Sequence, residues 1–475
     1  GLARLSARWG AADENAERRR WALAQFVALG WSEGAVPVPG VRECPVDWFM
    51  PYGRGRMAGT RDELDVFAGE AGAGSAAESR VKAEAEPLRS GRDVDEAVAG
   101  AVASRLEADV PLGCFLSGGV DSSLVALHAR RRLGRLSTFT VRMPDARMDE
   151  SAFAARAAEV VGSEHHVVDA HARPAEDLVT LIGQVGVPFG DSSLLAAHWV
   201  SRAARETGGL RVAIGGDGGD ELFAGYERQR AWRRRGTLGV IARVLPTAWL
   251  RREMGSGDAP RRARAEKIAR LRQAVRSGAY LDLLRIFPDE DLGRLSPELA
   301  KMARRAVRAG MHDAWRWQEL RMYLPRDLMR KVDTASMAVG LEVRSPLLAR
   351  GLADRACATE SATLTRGGRK WMLREAAKRH FPADLIDRPK MGFAIPIGEW
   401  FRTDYGGLRT MLLDHLNSSE PFGPPELGID LNMAYVRQML DEHLGTGPSG
   451  LVRRDHSQRL YMLLVLSVWA KWLGA

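Results

Sequence analysis

CFLSGGVDSSLVA, residues 114–126, closes an apolar run with a serine, two glycines and an aspartate before helical spacing takes over. The run VPLGCFL (110–116) is too short for a helix and suits a buried strand. The residues from Ser122 to Arg132 carry the period of a helix. A strand that hands over to a helix through Ser-Gly-Gly sets its smallest residues at the carboxyl edge of a sheet, where open α/β folds bind ligands. Gly118 and Gly119 allow a tight turn and close backbone approach. Ser117, Ser122 and Ser123 add hydroxyls, and the helix N-terminus adds partial positive charge. All of this suits an anion, and phosphate is the natural one. An ordinary glycine turn with a serine cap would use the same residue types without any ligand.

The stretch lacks the lysine of a GxxxxGK[ST] phosphate loop. Asp121 stands there instead. A carboxylate beside phosphate implies a cation between them, and Mg²⁺ is the usual one. A second carboxylate should then converge on the same point. AIGGDGGDELFAGY (213–226) offers Asp217, Asp220 and Glu221 after another apolar run, LRVAIGG (210–216). A solvated acidic turn is the plainer reading of those residues.

Further strand-like runs are LSTFTVRM (136–143) and EHHVVDA (164–170). Helical patterns lie at Val94–Leu106, Glu150–Val161, Ala175–Val185 and Leu194–Glu206. Strands alternating with helices predict a parallel sheet covered on both faces. From about residue 226 onward the pattern is mostly helical, and the Trp and Leu series at 461–473 reads as core. Near the start, WALAQFVALGW (21–31) reads as a helix and GAVPVPGV (34–41) as an extended connection.

A chain of 475 residues is too long for one ordinary core, so two or three domains are expected. Three cysteines (Cys44, Cys114, Cys357) without CxxC spacing argue against a disulfide framework or a zinc site, and a reducing cytoplasm is the expected compartment. No uncharged apolar run reaches the length of a membrane span, so no membrane partner is expected. The net charge of +9 comes largely from arginines at 228–275, at helical intervals, which reads as solvated helix faces; a polyanion surface or a docking face are the alternatives. His165 and His166 read as surface or packing residues rather than metal ligands.

SGGVDSS followed by GDGGDELFAGY resembles the synthetase domain of glutamine-dependent asparagine synthetases, which belong to the PP-loop ATP pyrophosphatases. The likeness continues in YLPRDLMRKVDTASMAVGLEVRSPLL (323–348), DLIDRPKMGFAIPIGEWF (384–401) and RRDHSQRLYMLLVLSVWAKWL (453–473), and runs in order from about residue 92 to the end. It implies an α/β fold of the adenine nucleotide alpha hydrolase type: a PP-loop parallel sheet flanked by helices, with a mostly helical C-terminal half. By the same likeness, residues 1–67 are the remnant of a glutaminase-like domain, 68–91 a linker, and 92–475 the ATP pyrophosphatase domain.

The resemblance also implies a chemistry. ATP and Mg²⁺ are the cofactors, with the phosphates on Ser117, Gly118, Gly119, Ser122 and Ser123. A carboxylate attacks the α-phosphorus, pyrophosphate leaves, and an amine or ammonia displaces AMP from the acyl-adenylate. Asp121 and Asp220 match the magnesium ligands. Asp217 matches the acidic position that takes a proton from the amine, and Lys390 the lysine that counters charge near the α-phosphate. Leu116, Val141 and Gly216 match positions that line the adenosine site. β-Lactam-forming relatives carry a tyrosine at the position of Asp217, so the acid there points to the amide-forming branch. Glu342 and Arg344 are expected to form an internal ion pair, and Asp333 to be either structural or substrate-facing.

Three departures bear on the substrate. Complete relatives begin with a cysteine nucleophile, whereas this sequence begins Gly1-Leu2-Ala3, so a separate glutaminase or partner subunit is an expected nitrogen source. Val187 stands where a glutamate is usual, and Ala349 where an aspartate is common. The expected function is an ATP-dependent amide ligase acting on a small-molecule or peptide carboxylate. A macrolactam-forming cyclase of the lasso-peptide or β-lactam synthetase type, using an internal amine, is the first alternative. A non-catalytic nucleotide or nucleic-acid binding module is the second, and Asp121, Asp220 and Lys390 speak against it, so a nucleic-acid partner is not expected. Self-association into a homo-oligomer stays open.

Overall fold

All four apolar runs are strands: β1 (Leu112–Phe115), β2 (Ser137–Arg142), β3 (Glu164–Asp169) and β4 (Val212–Ile214). A fifth, β5 (Glu342–Arg344), joins them. The computed structural model describes residues 14–32, 52–53, 56–57, 85–143, 149–254, 259–309, 315–387, 395–423, 427, 429–446 and 454–474. The five strands form one parallel sheet in the order β3-β2-β1-β4-β5. Cys114 of β1 pairs with Thr138 on one side and Ile214 on the other.

The helices that position the site are α1 (Glu14–Leu29), α2 (Gly91–Ala103), α3 (Val120–Leu133), α4 (Ser151–Val161), α5 (Pro174–Val185), α6 (Ser193–Glu206), α7 (Arg330–Met337) and α8 (Trp371–Lys378). The period-2 alternation of the strands sends their side chains into two cores. Cys114 and Ile214 enter one with residues of α2, α3, α4 and α8. Phe139, Val168 and Ala213 enter the other with α1, α5, α6 and the C-terminal helix Ser457–Gly474. That last helix has Leu464, Leu466 and Trp469 fully or almost fully buried, so its apolar length is core. Among the described residues no helix is long and apolar enough to cross a membrane.

From β1 the chain crosses through α3 to β2 and through α4 to β3, then returns through α5 and α6 to β4 on the other side of β1. The strand order therefore reverses between β1 and β4. The carboxyl ends of two neighbouring strands part there, and their loops leave a crevice.

β5 was hidden because it is three residues long, two of them charged, and lies on the sheet edge. Gly215 N donates to Arg344 O at 2.9 Å, so the strand buttresses the loop after β4. Arg344 Nε donates to Glu342 Oε1 at 2.6 Å, while Arg344 Nη1 donates to the carbonyls of Arg105 and Glu107. The expected pair forms, but not internally: the Glu342 side chain is 54% exposed. The arginine-rich stretch is helical, with Arg233, Arg234, Arg235, Arg261 and Arg264 exposed. Others are drawn inward: Arg228 is held by Glu319 through two hydrogen bonds of 2.7 and 2.8 Å, and Arg262 pairs with Asp455 at 3.6 Å. Glu319 opens a π-helix, Glu319–Met329, that contains Pro325. Proline lacks the amide hydrogen and crowds the preceding turn, and a wider turn accommodates it.

Candidate functional site

The loop after β1 is built by its serines. Ser117 N and Ser117 Oγ both contact Ser122 Oγ, at 3.2 and 3.1 Å, and Gly119 N donates to Ser117 Oγ at 3.3 Å. The loop is thus closed on itself with Gly118 at its outer bend. Gly118 has φ +71°, and a Cβ there would lie 2.6 Å from the backbone of Phe153 in α4. Only glycine meets both demands. Ser123 is fully buried beneath the helix start.

The loop after β4 lies directly against this one. A Cβ on Gly216 would meet Ser122 N at 2.8 Å and Asp121 Cβ at 2.9 Å, and one on Gly219 would meet Asp121 Oδ1 at 2.6 Å. Gly216 and Gly219 are therefore the clearance that lets two loops from two strands close on one carboxylate. Leu116 and Val141 lie at the same edge, with Thr140 Oγ1 donating to Leu116 O. Leu116 enters one core and Val141 the other, so their side chains do not form a single wall.

Asp121 and Asp220 converge on one cation, the ammonium of Lys370. Lys370 Nζ contacts Asp121 Oδ2 and lies 2.8 Å from Asp220 Oδ1. Burial opposes the charge on Lys370, but the two aspartates together outweigh it and raise its pKa. Lys370 precedes α8 with φ +46°, a left-handed conformation uncommon outside glycine and typical of functional sites. Nothing in GGRKWMLRE (367–375) signalled it, because a lone lysine carries no spacing that ties it to residues 249 positions away.

Asp217 lies beside this group. Burial pushes its carboxyl above the ordinary value; Lys331 pulls it back in part, and the charge on Asp121 pushes it further. Lys331, on α7, donates to Asp191 Oδ2 at 2.7 Å and to Ser193 Oγ at 2.9 Å. Burial works against the charge of Asp191, yet Lys331 holds its pKa at about 2. Burial, and after it Asp191, drives Asp327 well above the ordinary carboxylate value. Asp191 and Ser193 were within reach of sequence reading, since Asp-x-Ser is a helix-start pattern: Ser193 N donates to Asp191 Oδ1 at 2.9 Å. Lys331 and Asp327 had no such signal. Lys390 lies outside the described residues.

The donor set fits the expected ligands. Two carboxylates already share one point cation, and hard oxygen donors of that kind suit Mg²⁺. The glycine-cleared loops form a cradle that any Cβ would fill. A second constellation, Asp95 with His128 at 2.9 Å and His380 at 2.8 Å, lies between α2, α3 and the end of α8. It differs from His165 and His166, of which His165 bonds Thr138 and His166 stacks on Phe139.

Residues 93–471 match the asparagine synthase family. The chain belongs to that family. It is 31% identical over 385 residues to a putative glutamine-hydrolyzing asparagine synthetase of Mycobacterium tuberculosis, covering 78% of this chain and 55% of the relative. A glutamine-hydrolyzing asparagine synthetase of Bacillus subtilis is 23% identical over 396 residues, covering 80% of this chain and 58% of the relative. Amidase chyE of Penicillium rubens is 37% identical over a shorter 150 residues, 28% of this chain and 22% of its own. The chain therefore spans little more than half the length of the two synthetases. Family membership accounts for the parallel sheet and for the order of the motifs along the chain, while Lys370 and the Asp191–Lys331 pair rest on the geometry.

Proposed function

We propose that the chain is an ATP-dependent amide ligase that activates a carboxylate as its adenylate. The single observation carrying this reading is the meeting of Asp121 and Asp220 on one cation at the sheet's switch point. A substrate carboxylate oxygen attacks the α-phosphorus of ATP, the bond from that phosphorus to the bridging oxygen breaks, and pyrophosphate leaves. The nitrogen of an amine or ammonia then attacks the acyl carbon, and AMP departs with the acyl oxygen. Mg²⁺, held by Asp121 and Asp220, would neutralise phosphate oxygens.

The chain's own residues prepare each stage. The serine-closed loop after β1 and the start of α3 would face the phosphates. Lys370 holds the carboxylate pair together against its mutual repulsion. Asp217 accepts the proton released by the attacking amine, and its raised pKa brings it nearer to that task. Lys390 adds positive charge where the α-phosphate is attacked. Residues 92–475 are the catalytic unit, the nitrogen comes from free ammonia, an amine or a separate glutaminase, and the compartment is the cytoplasm.

Pyrophosphate–ATP exchange with a panel of acids tests the reading: AMP and pyrophosphate are the expected products, and ADP as product removes it. Asp217→Asn should keep exchange within about threefold while lowering amide formation at least hundredfold. Equal loss of both half-reactions would take the proton-accepting role from Asp217. Because the ionised form acts, amide formation in the unaltered protein should fall as pH drops through the raised pKa of Asp217, at a higher pH than for an ordinary aspartate.

A further inference from the structure

Beside the centre lies a cleft of about 580 Å³, lined in part by Val185, Val187, Met329, Arg330, Asp333 and Thr334. Its walls are the two elements that hold the Asp191–Lys331 pair. Val185 ends α5 and Val187 begins the turn to Asp191, while Met329 to Thr334 surround Lys331 on the opposite side. Lys331 bonds Asp191 and Ser193, and its charge reaches Asp217. Cleft and centre therefore flank one ion pair. The turn is held from behind: Gly190 N donates to Gly30 O at 2.8 Å, just past the end of α1.

The lining is apolar along one side and polar along the other. Val187 is buried and brings a branched apolar side chain to the lining. Asp333 is exposed and lies on the same lining as Arg330, so the two charges offset each other. A cavity of several hundred Å³ with an apolar side and a few polar groups is the usual form of a site for a mid-sized organic ligand. A four-carbon amino acid would leave most of it to water.

We propose that this cleft is the acyl-substrate subsite and that its acid is larger than aspartate, a carboxylate bearing an apolar body of several carbons that lies against Val185, Val187 and Met329. This rests on the adenylating reading above. Each methylene moved from water onto such a wall is worth roughly a fourfold gain in binding.

The test uses the full chain with Mg–ATP and two readouts, pyrophosphate exchange and calorimetric binding of the same acids without nucleotide. The acids are L-aspartate, L-glutamate and N-acyl aspartates with acyl chains of two to eight carbons. The expected result is a rise of roughly fourfold per methylene until the cleft fills, reaching at least tenfold over L-aspartate in both readouts. Val187→Glu, which charges the wall, should lower the longer acids at least tenfold relative to L-aspartate. Met329→Ala should cause the same loss by a milder change, and an unaltered thermal shift with ATP shows that either variant is folded. The inference is overturned if L-aspartate equals or exceeds every longer acid, or if both folded variants keep the original ranking. The expected ranking in calorimetry without any exchange would retain the subsite and reject adenylation alone.

Discussion

Lys370 shows how much one side chain can decide. It is nine-tenths buried, and its ammonium is the counter-charge that lets Asp121 and Asp220 stand together. Removing one member of a buried charge cluster leaves the rest uncompensated, typically at a cost of about 3–5 kcal/mol. Lys370→Met should reach that range at pH 8 by chemical denaturation. Without the ammonium, one of the paired carboxylates takes a raised pKa. A raised acid pKa in the folded state favours the protonated form, so stability is lost as pH rises through it. The deficit of the variant should therefore shrink toward pH 5, and an equal deficit at both pH values would count against the pairing. The glycines, Asp121 and Asp220 were legible because each sits in a short patterned stretch after an apolar run. Lys370, Lys331 and Asp327 were not: their partners are distant in sequence, and burial alone makes them matter.

Elements were legible in proportion to how fully they are buried. β1 and β4 carry apolar runs and β2 a β-branched and aromatic one because both faces are covered, and their helices start and stop close to the expected residues. β3 is partly exposed but keeps its β-branched Val167 and Val168. β5 has no apolar run and gains its place through pairing with β4 and the packing of one valine, Val343. The contacts that fix the helical half are polar and equally hard to foresee. Asp291, in the helix Asp289–Leu295, accepts from Arg454 Nη1 and Nη2 at 2.9 and 2.7 Å and from Tyr435 Oη at 2.8 Å. Burial opposes its charge, yet Arg459 and Arg454 hold its pKa at about 2. A depressed carboxylate pKa gives stability that is present above its unfolded value and is lost as pH falls through the folded one. That contribution should disappear between about pH 4 and pH 2, on the order of 2–3 kcal/mol. Asp291→Asn should cost about 3 kcal/mol at pH 7 and flatten the acid limb of the stability curve. Because the partners of Asp291 are Tyr435, Arg454 and Arg459 and none belongs to the loops after β1 and β4, exchange by the folded variant should stay within about twofold, and a larger loss would mean that this clamp also positions the centre.

At the scale of the whole molecule, the sheet separates two cores, and the proposed centre draws on both sides of it. Asp121 begins α3, which packs in one core. Lys331 and Asp191 belong to elements of the other. Lys370 comes from a segment that follows the entire sheet in sequence. A ligand bound across the loops after β1 and β4 would therefore tie together segments that the chain connects only through long excursions. Binding to the folded state alone stabilises it by RT ln(1 + [L]/Kd), about 2.7 kcal/mol at a hundredfold excess over Kd. Mg–ATP at that excess should raise the melting temperature by roughly 3–6 °C. If Asp121 and Asp220 hold the divalent ion, most of that shift depends on it: ATP with EDTA should give less than a third of the full effect. Asp121→Asn, which leaves Lys370 one carboxylate short, should melt lower than the unaltered protein without nucleotide, and should lose the magnesium-dependent part while keeping whatever shift ATP gives in EDTA. The ion is separated from this carboxylate pair if ATP produces the same shift with and without Mg²⁺ in both proteins.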